Sequence, residues 1–220
     1  MSATFAILGA YLTYRLYNIR DKTRFLWVLF LFYTLMEVLQ FAQFDSVNKC
    51  GDPTNRALTF VAFIFILAQP LLWNWYGYKE NAKNEFQRGA FMVGFILSIC
   101  LVIGLVLKYG GHKKGDPDDV LTGPLCTKKE SSGHLYWKIP FSRFDALSPS
   151  FFMWVAIIAV PMLMVDNGLM KAGSFLLGMT IAYAISKTKD EFPSVWCLMA
   201  LPLLAIGYIE SIYGNKLKFS

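Results

Sequence analysis

One carboxylate stands alone in an apolar stretch. Phe25–Phe44 reads FLWVLFLFYTLMEVLQFAQF, and Glu37 is its single charged residue. A carboxylate in hydrocarbon costs about 3 kcal/mol on insertion scales, so it must face protein, pair with a donor or be protonated. Helical spacing puts Tyr33, Glu37 and Gln40 on one face, with Gln43 about a third of a turn away. A second apolar stretch, Leu58–Tyr78, offers Gln69 and Asn74 beside the helix-interrupting Pro70. Two chemistries fit this constellation. Glu37, Gln40, Gln69 and Asn74 could line a polar path that carries a proton or a cation. Equally, they could form a buried hydrogen-bonded cluster that fixes how two membrane helices pack.

The elements that must position these groups follow from composition. Of 220 residues, 55% are hydrophobic and only 16% charged. Soluble domains carry about 25% charged residues, so this chain has too little polar surface for water on all sides. Apolar runs approaching the ~20 residues that span a bilayer recur along the chain. They are Ala3–Leu16, Phe25–Phe44, Leu58–Tyr78, Ala90–Leu107, Phe151–Val165, Leu169–Ser186 and Val195–Tyr213. The expectation is an all-α membrane protein, a bundle of seven transmembrane helices forming one polytopic domain over 1–220. A long outer loop, 108–148, carries both histidines, His112 and His134, and several Gly and Pro. Within it Tyr136–Phe144 alternates in polarity, which reads as a short hairpin or an amphipathic strip. Asp166-Asn167-Gly168 is a turn signal between the fifth and sixth runs; a single helix through it would put Asp166 at mid-membrane depth.

Charge placement orients the bundle. Arg15, Arg20, Lys22 and Arg24 all follow the first apolar run, which suits a helix inserted with its N-terminus outside and the C-terminus cytoplasmic. In that arrangement ten Lys and Arg lie inside and eleven outside, seven of the latter in the long loop. The short loops favour this orientation, and long loops obey the charge rule least. The net charge of +6 is explained by bilayer surfaces, and no basic stripe with interleaved stacking aromatics indicates nucleic acid. Cys50 and Cys126 fall in loops that share a side, and an oxidising outer side would let them form a disulfide. Cys100 and Cys197 lie inside apolar runs and read as packing residues.

Enzyme classes are disfavoured one by one. The last run has no lysine for a retinal Schiff base, and no histidine lies in any run to ligate heme or an intramembrane metal. No P-loop or GxSxG motif is present. No cofactor and no metal are therefore expected, and a lipid-modifying enzyme using Glu37 lacks an accompanying nucleophile.

Two echoes remain. Ala68-Gln-Pro-Leu-Leu-Trp-Asn-Trp-Tyr and Ala200-Leu-Pro-Leu-Leu-Ala-Ile-Gly-Tyr share A-x-P-L-L-x-x-x-Y four helices apart, as a 3+1+3 internal repeat would produce. A PQ-loop transporter relation would follow from such a repeat, but the order here is Gln69-Pro70 instead of Pro-Gln. The pairing of MEVLQ with AQPLLWN, carried by Met36, Glu37, Gln40, Gln69, Pro70 and Asn74, resembles uncharacterised seven-helix membrane proteins of algae and large DNA viruses. That resemblance implies the fold and no activity. The functional expectation is a transporter or channel-like protein for a small polar solute or ion, with Glu37 as the proton- or cation-sensitive group. The alternative is a non-catalytic seven-helix receptor or scaffold that binds through the outer loop. The expected partners are the lipid bilayer and a small polar solute or ion; the number of copies in the assembly is left open.

Overall fold

The computed structural model describes residues 2–19, 25–111, 125–131, 133–137, 151–188, 191–200 and 205. These residues are mostly helical. In chain order they form α1 (Ser2–Asn18), α2 (Leu26–Gln43), α3 (Pro53–Tyr76), α4 (Glu85–Gly111), strands β1 (Thr127–Lys129) and β2 (Leu135–Trp137), α5 (Phe151–Leu163) and α6 (Gly168–Ile185). A further helical stretch, α7, covers 192–200. Among the described residues, four stretches are long and apolar enough to cross a membrane: Leu26–Gln43, Pro53–Asn81, Glu85–Gly104 and Gly168–Ile185.

Two helices, α3 and α4, start well upstream of their apolar runs because polar caps begin them. Asp52 accepts a hydrogen bond from the Thr54 amide at 2.8 Å, and Pro53 occupies the first turn, where its missing N–H costs nothing. Thus α3 begins five residues before Leu58. Asn84 and Gln87 form a reciprocal cap: Gln87 N donates to Asn84 Oδ1 at 2.9 Å, and Lys83 N donates to Gln87 Oε1 at 2.7 Å. This starts α4 at Glu85 instead of Ala90. At its other end α3 widens into one π-helical turn, Gly77–Asn81. The fifth and sixth runs are separate helices, as the turn signal predicts. Asn167 adopts φ 55°, and Gly168 N bonds to Val165 O at 2.8 Å.

Polarity along α2 is inverted relative to a soluble protein. Tyr33, Glu37, Gln40 and Gln43 are buried, whereas Leu31, Leu35, Val38 and Phe41 are exposed. Helices α4 and α6 likewise turn Val93, Ile96, Leu97, Leu176, Leu177 and Ile181 outward. An aromatic layer fills part of the interior: Trp196 lies edge-on to both Phe175 and Trp154, with centroids at 5.3 and 6.4 Å.

Contacts between connections give the helices an alternating sense. Lys83, after α3, pairs with Asp166, before α6, at 2.6 Å; Lys171 reaches Asn81 at 3.0 Å. At the opposite end, the β1–β2 hairpin meets the α2–α3 connection, the segment before α7 and the first turn of α7. Lys187 Nζ donates to Ser131 Oγ at 2.9 Å and Ser194 Oγ to Leu135 O at 2.6 Å.

The hairpin is antiparallel, with Thr127 opposite Trp137 and Lys129 opposite Leu135. It lies mostly upstream of the alternating segment: Tyr136 and Trp137 end its second strand, and 138–144 lie outside the described residues. The start of the long loop also shifts, because α4 continues to Gly111. In the A-x-P-L-L-x-x-x-Y echo, the second copy beyond Ala200 lies, save Ala205, outside the described residues, as do Pro202 and Glu210.

Candidate functional site

Glu37 is fully buried near the middle of α2. One turn further on, the Gln40 amide donates to Glu37 Oε1 at 3.3 Å. Cys197, on α7, reaches the cluster through Gln69. Gln69, on α3, is the hub beside them. Its Oε1 accepts from the Trp196 indole at 3.1 Å and from the Tyr33 hydroxyl at 3.4 Å, and its Nε2 donates to Cys197 Sγ at 3.6 Å. The Trp73 indole in turn donates to the Tyr33 hydroxyl at 2.9 Å. Tyr33, Glu37, Gln40 and Gln69 are therefore brought together at the junction of α2, α3 and α7. Glu37 is the single carboxylic acid of this cluster among the described residues, which otherwise holds indole, phenol, amide and thiol groups.

Sequence reasoning missed Cys197, Trp73 and Trp196. Cys197 read as plain packing because an apolar run surrounds it. A signal existed for the tryptophans, since a buried indole N–H requires an acceptor, but their partners lie on other helices.

Asn74 and Gln43 have different neighbours. Asn74 Nδ2 donates to Pro70 O at 2.8 Å and to Ile157 O on α5 at 3.1 Å, and its Oδ1 lies against Gly94 of α4. That oxygen has no hydrogen-bond donor among the described residues. Asn74 thus joins α3, α4 and α5. Gln43, at the end of α2, serves the hairpin: its Nε2 donates to Thr127 Oγ1 at 2.9 Å and its Oε1 accepts from the Trp137 indole at 3.1 Å.

The seat of the hairpin is a second buried polar cluster. Asn55 Nδ2 donates to Ser46 O and Thr127 O at 2.8 and 2.9 Å, and Asn55 Oδ1 accepts from Thr127 N at 2.9 Å. The Thr59 and Thr127 hydroxyls are 2.7 Å apart. Beside this seat Cys50 and Cys126 form a disulfide, with Cα atoms 5.1 Å apart, as their shared side predicts. Asn55 and Thr59 were also missed. Their spacing of four places both on one face near the start of α3, which was the available signal.

At the far end Asp166 is exposed, and Lys83 holds its carboxyl below the ordinary value by a direct hydrogen bond and by its charge. Among the described residues no group of three or more His, Cys, Asp or Glu could hold a metal ion.

The chain belongs to a family of unknown function, DUF5765, which it matches over residues 1–215. A protein of Acanthamoeba polyphaga mimivirus, described as uncharacterized, is 29% identical over 203 residues, covering 83% of this chain and 82% of that one. This places a protein of a large DNA virus among its relatives, in line with the resemblance carried by the MEVLQ and AQPLLWN segments. No solved structure matches.

Proposed function

We propose that this chain is a multi-pass integral membrane protein of seven transmembrane helices, N-terminus outside, that moves a small polar solute or ion, with Glu37 as the proton- or cation-sensitive group. The membrane reading is supported by the four apolar stretches and by exposed apolar residues around buried polar ones. A soluble fold would pay desolvation for that inversion and gain nothing from it, whereas in lipid each buried polar side chain needs a protein partner. The alternating helices place Arg15, Lys79, Lys83, Arg88 and Lys171 at one end, opposite the disulfide; this suits a cytoplasmic and an outer side. A 3+1+3 repeat remains part of the same reading.

The observation that carries the transport reading is the complete burial of Glu37, with a neighbouring amide, within an apolar span. Packing alone could be met by glutamine, which has the same shape and no ionisable proton. The test is proton flux. Purified protein is placed in liposomes containing a pH-sensitive dye, and a potassium–valinomycin potential is imposed. Flux above that of protein-free liposomes is expected, and Glu37→Gln should return it to that background. Unaltered flux in Glu37→Gln overturns the assignment.

A receptor or scaffold is the second reading, favoured by the hairpin. Its inner face is fixed by Gln43, Asn55 and Thr59, while Lys128 and Lys129 remain exposed at the disulfide end of the bundle. It requires no flux in either protein and a binding partner lost on Lys128→Glu/Lys129→Glu.

A further inference from the structure

Buried polar side chains continue along α2 beyond the Glu37 cluster. Tyr33, Glu37, Gln40 and Gln43 are all buried, and they lead from Gln69 to the hairpin seat. There Asn55 and Thr59 of α3 join Gln43, and all three meet the hairpin, chiefly Thr127. We propose that the β1–β2 hairpin is a lid over the outer end of this polar column, and that the Cys50–Cys126 disulfide is the latch that keeps it seated. The lid rests on the transport reading of Glu37, whose outer approach it would regulate.

The chemistry of the seat carries the argument. A permanent plug is most cheaply seated on apolar side chains, because each buried amide or hydroxyl must recover the hydrogen bonds it had in water. Leu135 and Trp137 follow that rule on the hairpin's own side. Around Thr127 the facing helices present Gln43, Asn55 and Thr59, which hold the lid when it is down and are solvated by water when it is up, while Leu125, Leu135 and Trp137 pack into the apolar core beside them. The polar part of this seat tolerates both states, and the apolar part is what the latch must hold down. The hairpin itself has only three residues in each strand, and a two-stranded ribbon of that size is marginal without its supports. Cys126 directly precedes Thr127, so the covalent latch acts at the residue with most of the seat contacts. Opening requires a dithiol reductant on the outer side. It gives two electrons and two protons to the disulfide, leaving thiols at Cys50 and Cys126, and departs as its own cyclic disulfide.

Hydrogen–deuterium exchange of the full chain in lipid nanodiscs tests this, before and after dithiothreitol, alongside Cys50→Ser/Cys126→Ser. Reducing the already folded protein avoids any failure of the variant to fold, and protected α2 and α3 amides report that the bundle stays intact. The expected result is that exchange in 125–137 accelerates about tenfold or more on reduction. Unchanged exchange with a fully reduced disulfide overturns the lid. The proton-flux assay is run on the same two states. Faster exchange with higher flux supports lid and transport together. Faster exchange with no flux in either state supports a lid over the seat and sinks the transport reading separately.

Discussion

The indole N–H of Trp154 donates to the carbonyl of Ile66 at 2.8 Å. Ile66 lies four residues before Pro70, whose ring nitrogen has no proton to give it. The same relation runs the other way. Pro161 leaves the Ile157 carbonyl without its helical donor, and Asn74 of α3 supplies one at 3.1 Å. Helices α3 and α5 therefore each carry a proline-orphaned carbonyl, and each is capped by a side chain from the other helix. In a bilayer, where water is not at hand to satisfy such a carbonyl, this reciprocity fixes the pair's register.

Asn74→Leu should lower thermal stability because it strips the Ile157 carbonyl of its donor, by about 1 kcal/mol as interhelical hydrogen bonds in membranes go. Pro161→Ala restores a backbone N–H at that place. In the Pro161→Ala background the same leucine substitution should cost measurably less. Melting curves of the four proteins in one detergent form the double-mutant cycle. Equal losses in both backgrounds would falsify the reciprocal capping.

Gly94→Ala tests the other side of Asn74. A Cβ at Gly94 would run into the Asn74 side chain, with Cγ only 2.7 Å away. The amide would have to leave its two acceptors, so about 1–3 kcal/mol of destabilisation is expected from overpacking. Gly89 on the same helix has open space around it, and Gly89→Ala should be neutral or slightly stabilising. A similar melting temperature for both variants would remove Asn74 from the α3–α4 contact.

How far these features were legible in the sequence depends on their range. The apolar runs were readable because each helix is a local pattern, and so was the turn at Asn167. Their starts at Pro53 and Glu85 shifted because caps, not hydrophobicity, nucleate them. The grouping of Tyr33, Glu37 and Gln40 followed from helical spacing on one element. Asn74 shares α3 with Gln69, yet five residues carry it more than a full turn along, to a neighbour on α5 that no spacing within α3 could identify. Cys197 and Trp196 joined the cluster through tertiary contacts with Gln69. Helical spacing put Gln43 about a third of a turn from the Glu37 face, but could not show that its partners are Thr127 and Trp137.

Gln69 should matter more to stability than Gln40. Gln69→Leu leaves the buried Trp196 indole without its acceptor and removes the link to Tyr33 and Cys197. Gln40→Leu removes one donor to Glu37. An orphaned buried donor costs about 1–3 kcal/mol, so the expected order is Gln69→Leu well below Gln40→Leu in melting temperature. Tryptophan fluorescence gives an independent readout, since losing the Gln69 carbonyl changes the surroundings of Trp196. A reversed order would mean that Glu37, not Gln69, is the hub of the cluster.

The Lys83–Asp166 pair makes a prediction about pH with a definite sign. Both side chains are largely exposed, so the pair's contribution is small and sensitive to salt. Lys83 lowers the Asp166 carboxyl from its ordinary value of 3.8. A carboxyl that is more acidic when folded adds stability above its unfolded value and loses that contribution as pH falls through its folded value. Asp166→Asn should therefore melt slightly below the native protein, by an amount that stays constant over about pH 5 to 8. The difference should shrink as pH drops below 3.8 and should also shrink in molar salt. Melting temperatures of the two proteins across pH and salt check both trends. A gap that survives acid and salt would assign the effect of Asp166 to the geometry of the turn before α6, where the adjacent Asn167 holds φ 55°, instead of to its charge.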